Sequence, residues 1–182
     1  MTHTLQTNRH LHHSNTILYR RRKSPASAYQ THQNKSSNEM FNPQFQVMSD
    51  LHLETPVYQP VYSSFKLDIH ANNLFLLGDI GLVKDEGLFR FLENLLRSSP
   101  NLRIFYVLGN HEPYQISFKD AGKKLNDFAA AISRVYGDRF IFLQRTRFDL
   151  NPKITILGCT PWSYVSPEHG AEVQKRLTDF HE

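Results

Sequence analysis

A chain of 182 residues, 40% of them hydrophobic, holds one domain of ordinary size plus a tail. Residues 1 to 40 carry six Lys and Arg against Glu39 alone, a surplus of five, so the total of +4 leaves the remainder at −1 and excludes a basic nucleic-acid-binding domain. A single cysteine, Cys159, excludes an internal disulfide and suits a reducing, intracellular setting, and no apolar run approaches the roughly 18 residues that span a bilayer.

Residues 1 to 40 are rich in His, Asn, Ser, Thr and Gln, and their apolar residues are too scattered to bury. Such a composition cannot offset the entropy of ordering and reads as a disordered basic tail. Arg20-Arg21-Arg22-Lys23-Ser24-Pro25 has the make-up of a nuclear-localisation or phosphate-binding patch. The lack of acids before Glu39 is that of an organelle transit segment, although a solvated tail in a cytoplasmic protein is the plainer reading. His3, His10, His12 and His13 have nothing to set a metal-binding geometry.

The folded part is expected over residues 41 to 182. Its first strand is Phe45 to Ser49, followed by a surface loop with Pro56, Pro60 and several tyrosines, and then a second strand, Leu74 to Leu77. Asp85 and Glu86 open a helix with Leu88, Phe89, Phe91, Leu92, Leu95 and Leu96 at helical spacing, and Pro100 ends it. Strand three, Arg103 to Leu108, completes a βαβ unit. Ser117 is an N-cap for a second helix running through Val135, with Gly137 as its stop. Phe140 to Leu143 and Ile154 to Gly158 are further strands, with Asp149-Leu150-Asn151-Pro152 as a turn between them. A loop carrying Cys159 and Trp162 leads to a last helix, Ala171 to Phe180. Cys159 reads as a packed thiol and Trp162 as core or a loop hinge.

Three of the apolar runs end in the same way. Phe45 to Ser49 runs into Asp50-Leu51-His52, Asn73 to Leu77 into Gly78-Asp79, and Ile104 to Leu108 into Gly109-Asn110-His111-Glu112. In a largely parallel sheet, side chains just beyond the carboxyl ends of neighbouring strands share one crevice. Asp50 and His52 are two apart, so on an extended strand both point to one side, and carboxylate with imidazole suits Zn, Fe or Mn. Asn110 offers a neutral oxygen ligand, and His111 can move a proton near neutral pH. Each segment alone is ordinary turn chemistry. Asp50 and Asp79 are separated by 29 residues and Asp79 and Asn110 by 31, which suits crossovers between strands. Two cations about 3.5–4 Å apart need a bridging carboxylate, a role open to the middle-strand Asp79.

The stretches MSDLHLE, LLGDIGL, VLGNHEPY and LGCTPWS together resemble the calcineurin-like metallophosphoesterase superfamily, in particular its small single-domain members of fungal type. The resemblance runs from about residue 44 to the end. It implies a four-layer α/β/β/α sandwich of two mixed sheets. It further implies that Asp50 and His52 ligate one metal, Asp79 bridges two, Asn110 ligates the second, His111 protonates the leaving alkoxide or assists the attack, and Glu112 supports its loop. Two divalent ions, Mn, Fe or Zn, and a phosphate-ester substrate follow from the same resemblance.

Members of that superfamily complete the site with a histidine after a later strand and a Gly-His-x-His segment. Here only His169 and His181 follow the third motif, and neither follows an apolar strand run. The expectation is therefore an incomplete sandwich, truncated on its C-terminal side and short of about three imidazoles, with exposed apolar surface that favours self-association. Two rivals differ in class. A catalytically inactive remnant that binds metal weakly or engages a partner would keep the strand tips without turnover. A nucleotide-binding sheet would need a Gly-x-Gly-x-x-Gly after its first strand, which this chain lacks.

Overall fold

The computed structural model describes residues 43–177 and the backbone of Ile17–Arg20. Most of the expected tail, with its histidines, lies outside the described residues, as does His181. The exception is Ile17–Arg20, a strand (β1) that the tail's composition did not signal. The other elements in chain order are β2 (Phe45–Met48), β3 (Asn73–Leu77), α1 (Glu86–Ser98), β4 (Arg103–Val107), α2 (Phe118–Tyr136), β5 (Phe140–Phe142), β6 (Thr146–Asn151), β7 (Ile154–Gly158) and α3 (Pro167–Arg176).

The strands form two sheets. One is parallel throughout, in the order β2-β3-β4-β5, and the other is antiparallel throughout, in the order β1-β7-β6. The expectation of mixed sheets is thus corrected, and connection length is the reason. Helices α1 and α2 carry the chain back before β4 and β5, which makes those pairs parallel, whereas β6 and β7 are joined by a turn too short for anything but reversal. That turn lies at Pro152 and Lys153, where Asn151 Oδ1 accepts from the amides of Lys153 (2.8 Å) and Ile154 (3.0 Å). Asp149-Leu150-Asn151, read from sequence as turn, therefore belongs to β6.

Strand β3 is buried along its whole length, which is why it reads as an unbroken apolar run rather than an alternating one. On one face Leu74 and Leu76, with Ile104 and Tyr106 of β4, meet Leu88, Leu92 and Leu96 of α1 and Leu125 and Ile132 of α2. On the other face Phe75, Leu77, Phe105 and Val107 meet Ile156 of β7 and Phe148 of β6. The described residues thus build three layers, helices on parallel sheet on antiparallel sheet. The rings of Phe75 and Phe105 stack at 4.8 Å, and Phe148 meets Phe105 edge-on at 5.3 Å, so these aromatics join the two sheets.

Helix α1 places its apolar stripe on the sheet, and the Ser99 amide donates to Leu95 O just before Pro100. Helix α2 starts where Ser117 Oγ accepts from the Asp120 amide (3.0 Å) and ends at Gly137, whose φ of 70° is the left-handed stop that favours glycine. The last helix starts earlier than expected, because Ser166 and Pro167 form its start, and none of its residues is buried. Trp162 is 57% exposed and meets Phe118 edge-on, so it is not core, and Cys159 is half-buried. Among the described residues no helix is long and apolar enough to cross a membrane.

Candidate metal centre

Parallel pairing puts the carboxyl ends of β2, β3 and β4 at one edge of the sheet, with Met48 opposite Leu76 and Leu77 opposite Val107. Just beyond those ends the backbone turns into left-handed conformations: Asp50 has φ 55°, His52 φ 45°, Gly78 φ 89° and Asp79 φ 55°. Asp50 and His52 are therefore not on an extended strand, and they meet through a turn rather than through strand alternation. Left-handed backbone at a non-glycine residue costs roughly 1–2 kcal/mol and persists only where its surroundings hold it.

Backbone pairing beyond the strand ends supplies that hold. The amides of Asp50, His52 and Leu53 donate to the carbonyls of Gly78 (3.1 Å), Asp79 (2.9 Å) and Ile80 (3.0 Å), which zips the segment after β2 onto the segment after β3. Glycine is needed where the loops touch. A Cβ on Gly78 would lie 2.7 Å from Gly109 Cα, and one on Gly109 would lie 2.2 Å from Asp79 Oδ1.

Glu112 is the buried anchor of this edge, fully enclosed. Its Oε2 accepts from the amides of Asp79 (2.9 Å) and Gly109 (2.7 Å), and its Oε1 from the Ile80 amide and the Tyr106 hydroxyl (both 2.9 Å). Burial pushes its carboxyl up to about 7, with the Asp79 charge adding to the rise, while the backbone donors pull the other way. Burial and Glu112 also push the Tyr106 phenol well up. One carboxylate thus ties the tips of β3 and β4 together.

On this frame Asp50, His52 and Asp79 come together, their ligand atoms all within 4.8 Å of one another. The His111 amide donates to Asp79 Oδ1 at 2.9 Å, and the rings of His52 and His111 lie edge to face with centroids 4.3 Å apart. Asn110 sits half-buried at the β4 tip, between Gly109 and His111. Asp50 is exposed, whereas His52 and Asp79 are half-buried, so the group opens to solvent. Two carboxylates and an imidazole suit a hard or borderline divalent cation.

One participant is absent from the sequence reading. Glu54 is 4% exposed, and its Oε1 lies 3.1 Å from His52 Nδ1 and 3.2 Å from His111 Nδ1. His52, Glu54 and His111 form a second group with ligand atoms within 4.8 Å. Burial alone would raise the Glu54 carboxyl. Its hydrogen bonds, that to His111 the largest, outweigh burial and hold it below the usual range. The available signal was a lone acid after Leu53 in a stretch read as surface loop, yet Leu53 is 1% and Tyr62 7% exposed.

Other candidates fall elsewhere. Asp85 stands at the N-terminus of α1 without a side-chain cap, and its Oδ2 accepts from the Tyr62 hydroxyl at 3.1 Å. His169 is exposed on α3 and bonded to Ser166 at 2.8 Å. Thr160 donates to Leu108 O at 2.7 Å, which brings the segment after β7 to the β4 tip.

No protein-family model matches the chain, and no solved structure matches it. It is similar to an uncharacterized protein, L509, of Acanthamoeba polyphaga mimivirus, at 28% identity over 144 residues. That match covers 74% of this chain and 49% of the viral protein, so the chain spans about half the length of the curated relative it matches.

Proposed function

We propose that this chain carries the N-terminal part of a metal-dependent phosphoesterase site. The observation that supports it is the convergence of Asp50, His52 and Asp79 at three adjacent strand ends, with the His111 amide bound to the Asp79 carboxylate. In this reading Asp50, His52, Asp79 and Asn110 would hold the divalent ions. Ions of the Mn, Fe or Zn kind would supply hydroxide near neutral pH and offset charge on the phosphoryl oxygens.

The chain's own groups do the rest. His111 holds a proton at its ring and delivers it to the departing alkoxide. A cleft of about 580 Å³ lies between the loop of Tyr62 and helix α1, and of the groups around the candidate centre Glu54 is the one that lines it, beside Lys84 and Arg90. The second helix layer of a four-layer sandwich, and the further imidazoles that a dinuclear site needs, would come from residues beyond those described.

The test uses the full chain. Calorimetric titration with Mn and release of p-nitrophenol from its phosphate ester are measured beside Asp79→Ala. Expected are Mn binding and Mn-dependent turnover, both reduced at least 100-fold by the substitution. Mn binding without turnover would favour the inactive remnant, whose supporting observation is that His169, the described histidine after His111, is exposed on α3. Absence of Mn binding would overturn both readings.

A further inference from the structure

We propose that Glu54 is a positioning residue that sets the tautomer of both His52 and His111, accepting the Nδ1–H of each ring on one carboxylate oxygen and so presenting each Nε2 on the opposite side. The roles given to those Nε2 atoms rest on the phosphoesterase reading, but the tautomers themselves do not.

The inference follows from the acceptor. An ionised carboxylate only accepts, so a ring nitrogen bonded to it must carry the hydrogen. Both Nδ1 atoms lie within hydrogen-bond distance of the same Oε1, at 3.1 and 3.2 Å. Glu54 is 4% exposed, so water competes poorly for that oxygen. Its placement is firm: the neighbouring Leu53 is buried, donates its amide to Ile80 O (3.0 Å) and accepts from the Val61 amide (2.9 Å). His111 is braced from its other side by Tyr114, whose ring stacks on it at 4.4 Å.

His52 also belongs to the group with Asp50 and Asp79. With Nδ1 committed to Glu54, Nε2 is the ring atom left to serve that group. A carboxylate behind a ligating histidine fixes its orientation and raises its basicity, and removing such a partner typically costs 10–100-fold in metal affinity or activity. For His111 the same bond keeps Nε2 as the atom that holds and releases a proton. One buried carboxylate would thus couple a ligand to a proton donor across a 4.3 Å ring contact.

Nitrogen-15 NMR of the imidazoles reads the tautomers directly. In the metal-free full chain at about pH 8.5, two units above the ordinary imidazole pKa, both His52 and His111 are expected as the Nδ1–H form. Glu54→Ala should release both to the Nε2–H form that histidine prefers in water. Glu54→Gln keeps the side-chain volume but offers one neutral carbonyl, and should release at least one, with folding checked by near-ultraviolet circular dichroism. An Nε2–H form at either histidine in the unmodified protein, or tautomers unchanged in Glu54→Ala, would overturn the proposal.

A separate arm bears on the parent reading. With Mn and p-nitrophenyl phosphate, Glu54→Gln should lower kcat at least tenfold and shift KM less than threefold. Nδ1–H tautomers without any Mn-dependent turnover in the unmodified protein would overturn the phosphoesterase reading and support the role of Glu54.

Discussion

At the scale of single residues, the site edge depends on two buried carboxylates, Glu54 and Glu112. Glu112 accepts four hydrogen bonds from three backbone amides and a phenol, two at each oxygen. Glu112→Gln keeps one oxygen, so the amide nitrogen must face at least one backbone N–H, and each buried donor left unpaired costs roughly 1–3 kcal/mol. The expected result is a loss of about 2 kcal/mol or more, read as a lower urea midpoint at unchanged slope. A loss under about 0.5 kcal/mol would mean that the four bonds are not made together. Glu112 stands in the motif and was legible as a support for its loop. Glu54 closes the MSDLHLE stretch, but its role was not legible there, because it arises only when His111, 57 positions away, folds against it.

At the scale of elements, two helix starts that look alike in sequence behave differently. Ser117 caps α2 through its hydroxyl, while Asp85, in the equivalent place on α1, makes no such bond and instead takes the Tyr62 hydroxyl, which in turn accepts from the Leu82 amide at 2.9 Å. Ser117→Ala should cost about 1 kcal/mol and speed hydrogen exchange at the Asp120 amide. Asp85→Ala should cost a similar amount and speed exchange at the Leu82 amide, loosening the loop around Tyr62 rather than fraying the helix. The reverse pattern of exchange would show the assignments to be wrong. Local propensity tells where a helix begins, and only the neighbouring loop decides what its first side chain does.

At the scale of the whole molecule, the edge that carries the candidate metal centre is held up by a core two layers deep. Helices α1 and α2 close one face of the parallel sheet and the antiparallel sheet closes the other, so the ends of β2, β3 and β4 stay aligned. The antiparallel sheet ends in β1, paired residue by residue from Ile17 opposite Leu157 to Arg20 opposite Ile154. Removing residues 1–42 would leave the β7 edge with unpaired amides and carbonyls beside the 37%-exposed Leu157. The expected outcome is association that grows with concentration, measured by sedimentation velocity. A shortened chain that sediments as the full one does at all concentrations would show that β1 does not protect that edge.

The sequence by itself determined the apolar runs of β2, β3, β4 and β7, the stripes of α1 and α2, and the polar residues that follow the first three strands, because these depend on continuous apolar runs and on a periodicity of 3.6 along a short window. Tertiary structure decided the rest. It set which strands pair in which direction, the strand at Ile17–Arg20, the left-handed turns that aim Asp50, His52 and Asp79, and the buried Glu54 between two histidines. Each of these rests on a hydrogen bond or contact between segments far apart in the chain, and no local pattern encodes the partner of such a contact.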